Sequence, residues 1–260
     1  MADPNRDTVD AAGPRIRGDA LGRAMWDYHR GRYGQLRYRD GPETAEGRVA
    51  EFYFTPRAEW ADETIERLKW VAEGGGPVLD VGCGVGQHVR WVQDHDVEAL
   101  GVDVSPHAIR TARSMGADRV AVADMFDLPV PEGAVEAVYC VGTQVGLGGS
   151  IAGVRALLEG FDRVTTAGGR AVIDNYDPGT WDDPPFGHRP DPRPGYAHRC
   201  FHFEYEPPGA GGVTRIDRSV HFLLFGPDRL AEIIEGTPWR ISDLQRSPGF
   251  YRALLKGDGS

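Results

Sequence analysis

The sequence has little lysine, and it lacks any long apolar run. Only Lys69 and Lys256 are lysines among its 29 basic residues, and 39 acidic residues leave a formal charge of −10. Phosphate backbones and anionic lipids repel a negative surface, so we expect neither nucleic acid nor a membrane as a partner. No stretch approaches the roughly 20 apolar residues that a membrane-spanning helix requires.

Cysteine is also scarce. Cys83, Cys140 and Cys200 are far apart and show no paired spacing, which argues against a zinc site and against a disulfide framework. We therefore predict no metal. Residues 1–19 are polar and have no apolar segment of the kind found in secretory signals, so we predict a mobile tail and a cytoplasmic protein.

The acidic residues are 24 aspartates and 15 glutamates, and arginine outnumbers lysine by 27 to 2. Acid excess with scarce lysine is typical of halophilic organisms. A GC-rich genome explains the preference for arginine equally well. The composition therefore leaves a halophilic source as one of two explanations.

The most informative local pattern is the run VLDVGCGVGQH over residues 78–88. Its apolar start, bounded upstream by three glycines and Pro77, predicts a buried strand. Gly82, Gly84 and Gly86 remove side chains where a loop must approach a ligand. Apolar residues at helical spacing follow, so the loop opens a helix whose free N–H groups face the same ligand.

The spacing of these glycines favours one kind of ligand over another. A dinucleotide-binding loop requires glycine at position 87, which is Gln87 here. A tight turn without any ligand is the alternative for a lone glycine loop. The pattern G-x-G-x-G, with Asp80 two residues before its first glycine, resembles the first motif of the class I S-adenosyl-L-methionine (SAM) dependent methyltransferases.

Two further predicted strands end in an acid. Residues 97–104 contain Asp103, and residues 119–125 contain Asp124. Each acid alone is typical of a solvated loop, but two strand-terminal acids at these intervals after the glycine loop indicate a nucleoside site. An acid at the end of the second strand can accept from both ribose hydroxyls.

The resemblance covers residues 74–177 and implies SAM as the cofactor. It implies that the backbone of residues 82–86 holds the methionine part, with Asp80 fixing the loop and reaching toward the amino group. Asp103 would hold the ribose, and Asp124 with the backbone of Met125 would hold the adenine. The complete set of cofactor-binding residues that we predict is Asp80, Gly82, Cys83, Gly84, Gly86, Asp103, Val104, Asp124, Met125 and Val141.

The order of predicted elements defines the fold class. Strands and helices alternate from residue 78 to residue 174, which predicts an α/β fold with helices on both faces of a parallel sheet. The resemblance implies a Rossmann-like sheet of seven strands, mostly parallel, with the last strand antiparallel. Residues 199–205 and 213–225 alternate like strands around a Pro- and Gly-rich turn, which predicts a β-hairpin inserted after the fifth strand.

We predict a single methyltransferase domain over residues 20–260, preceded by the tail. Its parts are an N-terminal lid with a lead helix (20–72), the cofactor-binding core (73–177), a substrate-side insertion (178–225), and a C-terminal helix with the last strands (226–260).

Residues 20–54 are rich in aromatic side chains and arginine. In the family that the motifs resemble, helical segments before the first strand form a lid over the cofactor. Aromatic rings of such a helical lid would shield a sulfonium or hold the acceptor. The alternative is that they pack an N-terminal helix against the core.

Methyl transfer from a sulfonium needs alignment more than covalent chemistry, although an oxygen or nitrogen acceptor benefits from a general base. The candidates are His29, in the predicted lid, and His202, on the predicted hairpin; a structural role is the alternative for each. The loop at residues 141–149 lacks the Asn- or Asp-Pro-Pro-aromatic motif of enzymes that methylate bases or glutamine.

These patterns lead to a functional hypothesis. The chain is predicted to transfer a methyl group from SAM to a small-molecule acceptor by O-, N- or C-methylation. A nicotinamide-dependent oxidoreductase is an alternative that Gln87 and Asp124 oppose, and a non-catalytic SAM-binding module is another. The acceptor and the oligomeric state are left open by the sequence.

Overall fold

The computed structural model describes residues 15–209 and 211–259, with the side chains of residues 15–17 left undescribed. Residues 1–14 of the predicted tail lie outside this description. The strands in chain order are β1 (Arg15–Arg17), β2 (Gln35–Asp40), β3 (Glu43–Glu46), β4 (Val78–Val81), β5 (Ala99–Asp103), β6 (Val120–Val122), β7 (Val135–Cys140), β8 (Thr165–Tyr176), β9 (His188–Pro190), β10 (Tyr196–Glu206), β11 (Thr214–Ile216), β12 (Val220–Phe225), β13 (Trp239–Ser247) and β14 (Phe250–Gly257).

The helices are α1 (Ala20–His29), α2 (Val49–Tyr53), α3 (Asp62–Ala72), α4 (Gln87–Gln93), α5 (Pro106–Ser114), α6 (Ile151–Val164) and α7 (Pro227–Ile234). Helix α5 begins at a capped turn, because Ser105 Oγ accepts from Ala108 N at 2.9 Å and Pro106 occupies the first turn. No helix in the described ranges is both long enough and apolar enough to cross a membrane.

The main sheet has seven strands in the order β13-β14-β8-β7-β4-β5-β6. Strands β8, β7, β4, β5 and β6 run parallel, and β14 is antiparallel to both of its neighbours. All four residues of β4 are buried, as expected for a parallel strand covered on both faces. The predicted α/β class and the mostly parallel sheet of seven strands are therefore confirmed.

Helices cover both faces of this sheet. Leu79 and Val81 of β4 belong to a core cluster with Phe161 of α6, whereas Val78 belongs to a second cluster with Ile109 of α5. Successive strand residues point to opposite faces, so the two clusters lie on opposite sides of the sheet.

A second sheet of seven strands is built from the N-terminal segment and the residues that follow β8. Its path is β1-β11-β10-β2-β3, and β9 and β12 also pair with β10. Strand β10 is the common member, since it pairs antiparallel with β2, β9, β11 and β12 along its eleven residues. This sheet joins two parts of the chain that are far apart in sequence.

The prediction of a helical lid is wrong for residues 35–46, which form the β2–β3 hairpin instead. The reason is a period of two, in which Leu36 and Tyr38 alternate with arginines and lead into the Asp40-Gly41 turn, where Gly41 has φ +56°. The residues predicted as tail also contain a strand, because β1 pairs with β11.

Candidate functional site

A large cavity lies at the carboxyl ends of the parallel strands. Its volume is about 1970 Å³, and its lining includes residues of both sheets. A site for one small ligand typically occupies roughly 300–1000 Å³. The cavity is therefore large enough for two ligands side by side, and its two ends differ in chemistry.

The glycine loop after β4 forms the floor of one end. Gly82, Gly84 and Gly86 have φ of +76°, +53° and +72°, a region that side chains with a Cβ avoid. A Cβ on Gly84 would also lie 3.3 Å from the ring of Tyr53, and one on Gly86 would lie 3.0 Å from Ala112 Cβ. The predicted loop thus requires glycine for its backbone conformation and for its packing.

Gln87 opens α4 directly after this loop. Its Nε2 donates a hydrogen bond to the backbone carbonyl of Tyr53. The residue that replaces the third glycine of a dinucleotide motif therefore ties the N-terminal segment to the loop.

Asp103, at the end of β5, lies against the glycine loop. Its Oδ2 accepts from Gly84 N at 3.0 Å, and its Oδ1 accepts from Ser105 N at 2.8 Å. Burial raises the pKa of Asp103, and these two N–H donors oppose that shift. The carboxylate holds two loops together and still has lone pairs for further donors.

Asp80, in β4, carries a carboxylate that lacks a matching donor. Only 4% of the residue is exposed, and its Oδ2 accepts no hydrogen bond from the described residues. His88 Nδ1 lies 3.9 Å from that oxygen, but burial and the charge of Arg67 lower the pKa of His88 to about 4. Burial and the charge of Asp103 raise the pKa of Asp80 to about 8. This carboxylate is therefore available to a cationic ligand.

Arg67 of α3 is a cavity residue that the sequence analysis missed. It is 3% exposed, its Nη1 donates to Gln245 Oε1 at 2.7 Å and its Nη2 donates to Thr64 Oγ1 at 2.9 Å. Its Nε has no hydrogen-bond partner among the described residues. Arg67 precedes the buried Val71 by four positions, so its place on the inner face of the helix was a usable signal.

The strand ends at β5 and β6 expose apolar side chains to the cavity. Val104 is 61% exposed and Phe126 is 53% exposed, and both line the cavity beside Met125. Asp124 Oδ1 accepts from Phe126 N at 3.0 Å, which fixes the turn after β6. The predicted residues Val104, Asp124 and Met125 thus share one apolar, open corner with Asp103.

The two other predicted residues lie close by. Cys83 is buried within the loop, and burial raises the pKa of its thiol well above the ordinary value, so the side chain packs as a neutral group. Val141 lines the cavity directly after β7. The loop that it begins is held by Asp174 of β8, which accepts from Gly142 N at 3.0 Å and from Thr143 N at 2.5 Å.

The other end of the cavity is aromatic. Residues of the second sheet and of the segment after β8 form what we call the aromatic wall: Tyr38, Tyr176, Trp181, Phe186, Phe201 and Phe203. The ring centroid of Tyr38 lies 5.0 Å from that of Phe201 and 4.9 Å from that of Phe203. These separations are those of favourable aromatic pairs. The wall suits a flat or apolar ligand.

The two candidate histidines have different locations. His202 lines the cavity, and its Nε2 lies 3.4 Å from Oε1 of the buried Glu204. Glu204 Oε2 in turn lies 2.8 Å from Arg39 Nε. His29 is not among the residues that line the cavity, because its Nε2 lies 2.8 Å from Ser114 Oγ on α5. The structure therefore places His202 in the cavity lining and His29 outside it.

Comparison with known proteins agrees with this geometry. Residues 78–169 match the family model of a methyltransferase domain. A SAM-dependent methyltransferase from Bacteroides fragilis, solved in complex with S-adenosyl-L-homocysteine, superposes with a TM-score of 0.72 at 17% identity, over 92% of this chain and 95% of that one. The sugar N-methyltransferase KedS8 from Streptoalloteichus superposes with a TM-score of 0.59 at 23% identity, over 80% and 93%.

A relative that is named for a different activity is an S-adenosyl-L-methionine-dependent Diels-Alderase from Talaromyces variabilis. It is 27% identical over 175 residues, which are 60% of this chain and 57% of that protein. The chain thus spans little more than half of the length of this relative.

The fold, the glycine loop and the two strand-end acids define a class. Residues 78–169 form a methyltransferase domain, and the chain has the fold of the class I SAM-dependent methyltransferases. The names of the Bacteroides structure and of the Talaromyces relative both refer to SAM or its demethylated product, the cofactor that the sequence motifs predict.

Proposed function

We propose that the protein transfers the methyl group of SAM to a small-molecule acceptor by O-, N- or C-methylation. One observation carries the proposal: a single cavity is lined at one end by the glycine loop with Asp80 and Asp103, and at the other end by the aromatic wall. A methyl donor and an acceptor need such adjacent compartments, because the transfer is an in-line displacement between them.

The residues at the cofactor end fit the polar groups of SAM. The unpartnered Oδ2 of Asp80 and the unpartnered Nε of Arg67 offer an acceptor and a donor to the ammonium and carboxylate of an amino acid. A Cβ at Gly82 or at Gly84 would be strained by the positive φ and would press on Gln144 or Tyr53, so glycine leaves bare backbone where the methionine part would lie. Arg67 is an addition to the predicted set.

For the nucleoside end of the site, we keep the assignment that the sequence motifs predict. Asp103 has lone pairs left for the ribose hydroxyls after its two backbone bonds. Asp124 and the backbone of Met125 would hold the adenine edge, and the exposed side chains of Val104 and Phe126 would cover its faces. Burial of that apolar surface stabilises a complex by about 25 cal/mol for each Å² removed from water.

Bound SAM supplies an electrophilic methyl group on a sulfonium. The residues of this chain have to exclude water, orient the acceptor and accept its proton. His202 is the base that we assign, since it lines the cavity and Glu204 lies within 3.4 Å to hold its ring. The aromatic wall keeps water from the acceptor and offers π faces to a positive charge.

A second candidate is a reaction in which bound SAM is not consumed. The similarity to a Diels-Alderase favours it, because that name denotes a cycloaddition. The two candidates predict different fates for the cofactor. Methyl transfer releases S-adenosyl-L-homocysteine (SAH) in proportion to product, whereas a cycloaddition leaves SAM intact.

Calorimetry with SAM and with SAH tests the cofactor part of the proposal. We expect saturable binding of both at a stoichiometry of one, and no binding of NADH. Incubation with labelled SAM and a panel of phenols, amines and aromatic acids then tests transfer. Absence of binding of both SAM and SAH would refute the proposal, and SAM binding without SAH release from any acceptor would favour the second candidate.

A further inference from the structure

Arg199 of β10 projects into the aromatic end of the cavity. Its Cζ lies 4.5 Å from the ring centroid of Phe201, 5.7 Å from that of Tyr38 and 5.8 Å from that of Tyr176. Its Nε donates to the backbone carbonyl of Phe186 at 2.8 Å. The guanidinium is therefore held in place by three rings and one hydrogen bond.

The charge of Arg199 has no carboxylate partner within 4 Å among the residues that the structure describes. Its Nη1 and Nη2 make no hydrogen bond to those residues either. Burial lowers the pKa of Arg199, and the groups that oppose this shift are the phenols of Tyr176 and Tyr38 rather than an acid. On the same sheet, Arg39 lies 2.8 Å from Glu204, so an unpaired arginine is not a general property of this surface.

Arg199 is half-buried and has no counterion among the described residues, so a bound anion would offset part of the cost of desolvating its charge. The planar fork of arginine with both Nη atoms free matches a carboxylate, which it binds through two parallel hydrogen bonds. The rings around it match a flat apolar body attached to that carboxylate. The charge and the shape of this end of the cavity therefore favour the same ligand, a flat apolar molecule that carries a carboxylate.

We propose that the acceptor is a planar aromatic molecule that carries a carboxylate, and that Arg199 is the residue that selects it by binding this group. The inference rests on the proposed function, because it concerns the acceptor end of the same cavity. It does not depend on which atom of the acceptor receives the methyl group.

The experiment uses the full chain saturated with SAH and two matched probes. Cinnamate carries the carboxylate, and cinnamamide is its neutral counterpart of nearly the same shape. Dissociation constants are measured by calorimetry for the wild type, for Arg199→Gln and for Arg199→Lys. Arg48→Gln is the control, since Arg48 also lines the cavity but is already paired with Glu51 at 3.1 Å.

We expect the wild type to bind cinnamate about 10- to 100-fold more tightly than cinnamamide, as a hydrogen-bonded charge pair provides. Arg199→Gln should remove this preference and leave cinnamamide binding nearly unchanged. Arg199→Lys should retain part of it, because lysine keeps the charge but lacks the fork. Arg48→Gln should keep the full preference.

Three outcomes would overturn the inference: equal binding of the two probes by the wild type, a preference that survives in Arg199→Gln, or no saturable binding of cinnamate in the millimolar range. SAH titration of each variant comes first. A variant that binds SAH with wild-type affinity is folded, so a failure of the carboxylate preference is then distinct from a failure of the cofactor site.

Discussion

Asp103 Oδ2 lies 3.0 Å from Gly84 N, so the last residue of one strand fixes the loop that follows its neighbour. The same carboxylate holds Ser105 N at 2.8 Å, at the start of α5. The acid that we assign to the ribose is therefore also part of the scaffold. Its two roles are separable by experiment.

Asp103→Ala removes both backbone hydrogen bonds and the proposed ribose contact. We expect at least about a tenfold loss of SAH affinity and a lower melting temperature. Asp103→Asn keeps one acceptor oxygen, so its melting temperature should lie closer to that of the wild type while SAH affinity stays reduced. Calorimetry and thermal melting measure both effects. Asp127→Ala, which removes an exposed acid of the same region, should change neither.

Asp80 provides a test of pH dependence. Its pKa of about 8 in the folded protein lies above the ordinary 3.8, so the folded state binds more protons than the unfolded state between these values. Stability without ligand should therefore fall as pH rises through this window. Asp80→Asn should remove that slope and raise the melting temperature near pH 8, by roughly 2–4 °C for each kcal/mol gained.

The same substitution should weaken the cofactor site. An ammonium ligand favours the ionised form of Asp80, so binding releases a proton below pH 8 and SAH affinity rises with pH toward that value. In Asp80→Asn the affinity should be lower and this rise should be absent. A variant that is less stable than the wild type near pH 8, or that binds SAH equally well, would contradict the assignment.

Gly84→Ala tests whether the loop needs glycine for ligand approach or only for its backbone. Gly31 is the control, because its φ of +68° is similar and a Cβ there would meet nothing within 4 Å. Alanine at positive φ costs roughly 1–2 kcal/mol at either position, so both variants should melt lower. We expect that SAH affinity falls in Gly84→Ala alone. Equal SAH affinities in the two variants would show that the loop at Gly84 does not approach the cofactor.

His202→Gln tests the assigned base. General base catalysis contributes about 10²–10⁴-fold, so kcat with an active acceptor should fall by that order while SAH affinity stays unchanged. Glu204→Gln should lower kcat less, because Glu204 acts by positioning the imidazole. His221→Gln is the control from the same cavity, since His221 is exposed and lies 3.2 Å from Cys200 Sγ. Unchanged kcat in His202→Gln would show that His202 is not the general base.

The cofactor end of the site could be predicted from the sequence because its determinants are local. Asp80, Asp103 and Asp124 each follow a short apolar run, and parallel strands bring their carboxyl ends to one edge of a sheet. The glycines of the loop were recognisable from their spacing. The roles of these residues remain predictions that the variants above test.

Apart from His202, the acceptor end could not be predicted, because it depends on pairing between distant segments. Arg39 of β2 pairs with His202 of β10, and no local pattern relates positions so far apart. The alternation in residues 35–40 is compatible with a strand, but a single sequence does not show that this strand pairs with β10. Arg199 was missed for the same reason, since its ring neighbours come from three separate segments.

The sharing of β10 by four other strands has a consequence for changes of specificity. Its residues hydrogen-bond to the N-terminal hairpin on one edge and to β11 and β12 on the other. In a chimera that took only residues 178–225 from a relative, the β2–β3 hairpin of this chain would have to pair with the β10 strand of another protein. The two segments that line the aromatic end of the cavity therefore form one structural unit, and recombination that moves both together should yield folded proteins far more often than exchange of either one.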